Sequence, residues 1–160
     1  MSTRLRLAAA LVVSTGTCLL VGVSGSLVTA TSVREWYPLV QKPSWTPPSA
    51  AFGPVWTVLF VLMGVSAWLI WRDSVGSKRR TALLIFVTQL VLNGAWSFLF
   101  FGLRSPGWAA LEIVLLWCAI VATMLAFARN SRLAAGLLLP YLLWVSCAAA
   151  LNLAIWNLNR

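Results

Sequence analysis

Polar and aromatic side chains recur at helical spacing inside the apolar runs of this sequence. Three runs each place such residues on one helical face: Trp56 and Phe60; Gln89, Asn93 and Trp96; Trp144, Ala148 and Asn152. Amide groups donate and accept hydrogen bonds and indole rings stack, so this set suits the binding of a flat, apolar ligand. The alternative for the three amides is hydrogen bonding between helices, and both interpretations stay open.

The sequence lacks the residue sets of conventional catalysis and of metal binding. It contains no His, and Cys18, Cys118 and Cys147 lie on separate runs without the spacing of metal ligands. Without His there is no imidazole to ligate haem iron or to act as a general base. We therefore predict no metal site, no obligatory cofactor and no conventional hydrolytic or redox chemistry.

The composition excludes an ordinary soluble domain, because 61% of the residues are hydrophobic and only 9% are charged. A helix that spans the bilayer core needs roughly 20 residues. Five stretches meet that length: about 7–30, 52–71, 82–103, 107–128 and 133–156. The first is predicted to be a retained helix, since its apolar core of roughly 24 residues is longer than that of a signal peptide. We predict an all-α membrane protein, a bundle of five transmembrane helices in a single domain, 1–160.

The connection between the first two stretches, about 32–51, is long and structured rather than loose and polar. It holds Pro38, Pro43, Pro47 and Pro48, four of the seven prolines of the chain. Proline fixes φ and removes a backbone donor, so the segment is stiff. Loops of this length in compact proteins are usually functional. We interpret this one as a lid over a site between helices.

Lys and Arg residues predict the orientation in the membrane. Eight fall on one side: Arg4, Arg6, Arg72, Lys78, Arg79, Arg80, Arg129 and Arg132. Four fall on the other: Arg34, Lys42, Arg104 and Arg160. The positive-inside rule then places the amino terminus in the cytoplasm and the loop outside. The net charge of +9 is explained by this topology and by attraction to anionic lipid, so we expect membrane lipid and no nucleic acid as a partner.

Several of these side chains are predicted to lie in the outer half of the membrane. At 1.5 Å per residue, Trp56 and Asn152 lie about 6–8 Å below the outer end, and Asn93 about 15 Å below it. Trp117 and Trp144 lie too deep for the interfacial belt that accounts for most membrane tryptophans. An aromatic-walled cleft with a few polar groups is typical of a ligand site.

Two further residues carry open alternatives. Glu112 lies at a similar depth and either extends to Lys42, Arg104 or water, or contacts the ligand. Pro140 is expected to kink the fifth helix near the middle of the membrane. That kink either makes room for a ligand or is purely structural.

The motifs WYPLVQKPSWTPP, FGPVW, QLVLNGAW, FFG and PYLLW closely resemble those of the tryptophan-rich sensory protein family. This family is the bacterial branch of the translocator proteins, or peripheral benzodiazepine receptors, and the resemblance runs from Trp36 to Trp156. It implies a five-helix bundle, a homodimer, in a bacterial cell membrane, which binds porphyrins such as protoporphyrin IX. Together with the helix-face argument it gives the predicted ligand-binding set: Trp36, Tyr37, Lys42, Pro43, Trp45, Trp56, Phe60, Asn93, Trp96, Phe100, Trp144, Ala148 and Asn152.

Three functions follow from the resemblance. The first is a receptor or sensor that binds porphyrin or a similar bulky apolar ligand and reports tetrapyrrole or stress status. The alternatives are a transporter of porphyrin or lipid, and an enzyme that degrades porphyrin in light with Trp56 and Trp144 taking part. Cholesterol is not expected as a natural ligand, because residues 151–157 lack the Tyr and the basic residue of the sterol pattern in animal relatives.

Overall fold

A computed structural model describes residues 3–160 and shows an all-helical bundle of five long helices. They are α1 (Thr3–Glu35), α2 (Ser49–Asp73), α3 (Gly76–Gly102), α4 (Pro106–Ala128) and α5 (Arg132–Leu158). Each is long and apolar enough to cross a membrane, and no strand occurs among the described residues. The predicted five-helix fold is confirmed. Met1 and Ser2, which the predicted domain includes, lie outside the described residues.

The loop between α1 and α2 is shorter than the predicted range of about 32–51. It comprises residues 36–48 and contains one turn of 3-10 helix, Tyr37–Leu39. The last turn of α1 continues to Glu35, where the Ser32 Oγ donates a hydrogen bond to the Phe101 carbonyl at 2.5 Å. The α2 helix begins directly after Pro47 and Pro48, because proline restricts the preceding residue and disfavours helix there.

The carboxyl end of α3 and the start of α4 are joined by a tight turn. The α-helix runs from Gly76 to Ser97 and ends in a π-helical turn, Phe98–Gly102. Arg104 follows with a φ of 51°, in the left-handed region that non-glycine residues rarely adopt. Pro106 then opens α4, where its missing N–H costs no helical hydrogen bond.

The fifth helix is interrupted close to one end rather than in the middle. Its two segments, Arg132–Leu137 and Leu139–Leu158, meet at Leu138, whose N–H bonds to Ala135 in the 3-10 manner at 3.1 Å. The break therefore precedes Pro140 by two residues and lies six residues after the helix begins. The kink that we expected near the middle of the membrane lies instead near the end opposite the loop.

The five helices form a closed ring. α1 packs against α2, α2 against α5, α5 against α4, α4 against α3, and α3 returns to α1. We call the end that carries residues 36–48, the α3–α4 turn and the carboxyl end of α5 the loop end. A small cluster of buried residues joins the loop to the bundle there: Val40, Phe100, Ala109, Leu151 and Ile155. The α1 helix is largely exposed, and Cys18 and Ser32 are its buried residues within the described range.

Candidate functional site

Side chains from three helices meet around Tyr141, which is fully buried: aromatic rings of α2 and α5 and an amide of α3. Its hydroxyl accepts a hydrogen bond from the Asn93 Nδ2 at 3.0 Å, which links α5 to α3. Its ring lies edge-on to Trp56, with centroids 6.3 Å apart, and Trp56 stacks on Phe60 at 5.6 Å. These four residues and Trp144 form what we call the central cluster. Of the predicted residues, the structure brings Trp56, Phe60 and Asn93 together around Tyr141; their contact with a ligand stays a prediction.

Trp144 adds an unusual polar group to the central cluster. Its half-buried ring lies edge-on to Phe52 of α2, with centroids 5.7 Å apart. Its Nε1–H is buried and has no hydrogen-bond partner within residues 3–160. A buried donor without an acceptor costs about 1–3 kcal/mol, so it is a position where a ligand acceptor is favoured. Ala148 lies one turn nearer the loop end and packs against the same core.

Trp96 and Asn152 form a second polar pair, nearer the loop. The Trp96 Nε1 donates to the Asn152 Oδ1 at 3.0 Å, and the Asn152 Nδ2 donates to the Pro106 carbonyl at 2.7 Å. Trp96 also stacks on Phe100, with centroids 5.2 Å apart. Asn152 thus joins α3, α4 and α5, and Asn93 joins α3 and α5. The hydrogen bonds between helices that were one of two alternatives are observed for both; contact of either residue with a ligand stays a prediction.

Two further polar side chains are buried without full hydrogen bonding. Gln89 contacts the Met63 sulfur through its Nε2 at 4.0 Å, and its Oε1 has no partner in the described part of the chain. Glu112 is only 8% exposed, and neither of its carboxyl oxygens has a partner there. Along α4, Glu112 lies between Pro106 and Trp117, whose partners on α5 are Asn152 and Ser146. This places Glu112 at about the level of residues 148–149 of α5.

The cations proposed as partners of Glu112 are engaged elsewhere. The Lys42 Nζ donates to the Tyr37 and Val40 carbonyls at 2.6 and 2.7 Å, and it lies 4.8 Å from the centre of the Tyr37 ring. Arg104 pairs with Glu35 at 3.4 Å. Burial raises the pKa of the Tyr37 phenol, which therefore stays uncharged beside Lys42 at neutral pH.

The loop packs on the bundle through its first half. Trp36 lies edge-on to Phe100 at 5.7 Å, and Tyr37 lies 5.8 Å from Phe101. In its second half, the Thr46 N and Oγ1 both donate to the Pro43 carbonyl, at 3.1 and 2.7 Å, which forms a turn. This turn projects Trp45 outward, where it is 55% exposed. The structure therefore brings Trp36 and Tyr37 onto the bundle, whereas Trp45 lies apart from it.

The central cluster is closed rather than an open chamber. Tyr141, Phe60 and Asn93 are each at most 5% exposed and fill the space between α2, α3 and α5. Recesses open instead at the rim of the loop end, including one of about 450 Å³ and a neighbouring one of about 300 Å³. A ligand that enters the central cluster must therefore displace side chains or the loop.

Sequence reasoning left Phe52 and Tyr141 out of the predicted site. Tyr141 precedes Trp144 and Ala148 by three and seven residues, so the same helical spacing that selected those two would have included it. Phe52 lies one turn before Trp56 and carries the same signal. The i, i+3, i+4 and i+7 pattern alone would therefore have predicted both Phe52 and Tyr141.

Comparison with known proteins gives consistent matches along most of the chain. The sequence model of the TspO/MBR family matches residues 14–157. The Tryptophan-rich protein TspO of Chlorobaculum tepidum is 45% identical over 148 residues, which cover 90% of this chain and 92% of that protein. The protein of the same name from Archaeoglobus fulgidus is 43% identical over 149 residues, covering 93% and 96%. The Translocator protein of Homo sapiens is 42% identical over 128 residues, covering 79% and 76%.

Proposed function

This chain is an integral membrane protein of the TspO/MBR family, and we propose that it is a receptor that binds porphyrins and similar bulky apolar ligands in the central cluster. One observation carries the proposal: among residues 3–160, the buried N–H of Trp144 in this aromatic cluster has no acceptor. A flat π-system with polar substituents would stack on the rings and supply that acceptor. The role of such binding is to report tetrapyrrole or stress status.

The cluster is closed, so in this proposal a large ligand enters only when side chains or the loop move. The ring of Trp56 packs against the rings of Phe60 and Tyr141. Each such aromatic pair contributes about 0.5–1.5 kcal/mol beyond the burial of area, so a macrocycle that displaces these contacts must offset them by stacking its own face on the rings. The loop above must move as the ligand enters, since Trp36 and Tyr37 pack on α3 beside the cluster.

Charge at the loop end supports a ligand that carries carboxylates. Lys42 is half-buried, and its ammonium is bonded to two carbonyls of the loop itself. A propionate would add an ion pair with Lys42, which these neutral carbonyl acceptors cannot provide. Because the sequence has no His, a metal-free porphyrin fits better than haem held through its iron. The distribution of Lys and Arg supports a loop end that faces outward from a bacterial cell membrane.

A porphyrin titration of the purified protein in detergent tests this function. The absorption band of protoporphyrin IX is followed as protein is added, so the readout does not depend on the number of tryptophans. Wild type should bind saturably. Ala148→Thr should weaken binding roughly tenfold, because overpacking a filled site typically costs about 1–3 kcal/mol.

The matched control is Ala150→Thr, the same change on the exposed face of the same helix. Its affinity should equal that of wild type. No saturable binding by wild type would overturn the proposed function. Equal affinities of the two variants would agree with a porphyrin receptor but would place its site outside the central cluster.

A further inference from the structure

The recess of about 450 Å³ at the loop end is a groove between the start of α4 and the carboxyl end of α5. We call it the rim groove. The residues that matter for its chemistry are Arg104, Trp108, Leu111, Trp156, Asn159 and Arg160. It lies on the outside of the bundle, and the central cluster lies inside, so the two are separate sites.

Two guanidinium groups border the rim groove. Arg104 stands in the α3–α4 turn, and one of its terminal nitrogens pairs with Glu35 at 3.4 Å. That single long contact leaves most of its five N–H donors available. Arg160 lies with its guanidinium 5.6 Å from the centre of the Trp156 ring, which holds the cation beside the groove. Paired guanidinium groups favour a phosphate, which they bind through parallel hydrogen bonds.

The floor of the rim groove is made by close packing of α5 on α4. A Cβ at Gly107 would lie 3.0 Å from the Trp156 Nε1, so the absence of a side chain there allows the indole to lie against α4. Trp156 thereby separates the two cations from the core below it.

The groove continues along the outer surface of α4 as an apolar stripe. Trp108, Leu111 and Leu115 occur at i, i+3 and i+7, and each is more than 60% exposed. Trp108 lies at the end of a spanning helix, where tryptophan marks the level of the lipid head groups. An anion that binds between Arg104 and Arg160 therefore has a hydrocarbon-facing surface directly beside it.

We propose that the rim groove binds one phospholipid of the surrounding bilayer that has an anionic head group. Its phosphate lies between Arg104 and Arg160, and one acyl chain follows Leu111 and Leu115 along α4. The charge selects an anionic lipid over a zwitterionic one. The apolar stripe selects a lipid over a water-soluble phosphate. This site is additional to the porphyrin site and does not depend on it.

Native mass spectrometry of the purified protein with added lipid tests the proposal. Phosphatidylglycerol should bind wild type in a first, tight step, and phosphatidylcholine should not. Arg104→Gln combined with Arg160→Gln should weaken that first step roughly thirtyfold, since each basic residue near a membrane surface contributes about 1 kcal/mol towards anionic lipid. Both side chains lie at the surface, so the variant should fold normally, which its helical circular dichroism would verify.

Arg129→Gln combined with Arg132→Gln is the control, because it removes the same charge at the opposite end of the bundle. It should leave the tight step unchanged. Equal weakening in both double variants would overturn the proposal, as it would indicate attraction to overall charge alone. So would an unchanged tight step in the Arg104 and Arg160 variant, or competition by glycerol phosphate as effective as that of the lipid.

Discussion

Asn159 fastens the loop to the carboxyl end of α5 through two hydrogen bonds to the backbone of Gln41. The Asn159 Oδ1 accepts from the Gln41 N–H at 3.0 Å, and its Nδ2 donates to the Gln41 carbonyl at 2.9 Å. The same Nδ2 also donates to the Ile155 carbonyl at 2.7 Å, which fixes the amide on its own helix. Besides the ring contacts of Trp36 and Tyr37, the loop is thus held over the bundle by one side chain that is distant in sequence.

Asn159→Ala should loosen the loop without unfolding the bundle. Each lost hydrogen bond contributes about 1 kcal/mol, so the Gln41 amide should exchange with solvent deuterium roughly fivefold faster or more. Hydrogen exchange measured by mass spectrometry on peptides from residues 36–48 gives the rate. The control is Asn157→Ala, which changes an exposed asparagine two residues earlier in the sequence. It should leave the exchange rate unchanged. An unchanged rate in Asn159→Ala would show that ring contacts alone hold the loop.

Gly64→Ala should destabilise the bundle, because α1 and α2 touch at this glycine. A Cβ there would meet the Thr15 Cα and N, which are backbone atoms and cannot rotate away. Overpacking of this kind costs about 1–3 kcal/mol, and the gain in helix propensity offsets only about 1 kcal/mol. Thermal unfolding in one detergent measures the difference.

The control for that change is Gly16→Ala in α1, where a new Cβ would have nothing within 4 Å. It should be neutral or slightly stabilising, since alanine favours helix over glycine. Equal unfolding temperatures of the two variants would contradict the close approach of α1 and α2 at Gly64.

Glu112→Leu should raise the stability of the ligand-free protein. Its carboxyl group is buried, and both oxygens lack partners among the residues that the structure describes. This costs about 1–3 kcal/mol, which a leucine of similar size avoids. Glu112→Gln keeps the buried polar group and should gain much less. The same thermal unfolding measurement compares the two. Destabilisation by leucine would mean that the carboxyl group has a polar partner after all.

The helices and their inward faces could be predicted from the sequence, because both depend on local spacing. Each apolar run is long enough to span a bilayer, and the i, i+3 and i, i+4 spacings placed Asn93 with Trp96 and Trp144 with Ala148 on inward faces. The length of α1 was underestimated. Between Gly25 and Pro38 the sequence contains no proline or glycine that would end a helix. The bond from Ser32 to Phe101 that stabilises its last turn joins distant residues and has no local signal.

The partners of the polar residues could not be predicted, because they depend on how each helix is rotated in the ring. Trp117 shows this: its depth suggested an interior position, but it is 39% exposed and donates to Ser146 at 2.9 Å on the outer surface. Equally, no sequence pattern indicates that Trp144 lacks an acceptor or that Tyr141 fills the expected chamber. Those features arise from side-chain packing between helices.

The alternative function, light-dependent degradation of porphyrin, would require the two cluster indoles. Trp56→Phe combined with Trp144→Phe removes the electron-rich rings nearest to the proposed site, so loss of the porphyrin absorption band in light should slow. Trp68→Phe combined with Trp71→Phe, at the opposite end of α2, should bleach like wild type. Equal bleaching of porphyrin by both double variants would exclude degradation through these two indoles and leave binding as the function.

The indole N–H resonances of the ten tryptophans locate the porphyrin most directly. Each is a separate signal in a nitrogen-15 NMR spectrum of the protein in detergent, and single Trp→Phe variants assign them. Addition of protoporphyrin IX should shift the signals of Trp56, Trp96 and Trp144 and leave those of Trp68 and Trp71 in place. Shifts confined to Trp108 and Trp156 would put the porphyrin on the outer surface and contradict a ligand site in the central cluster.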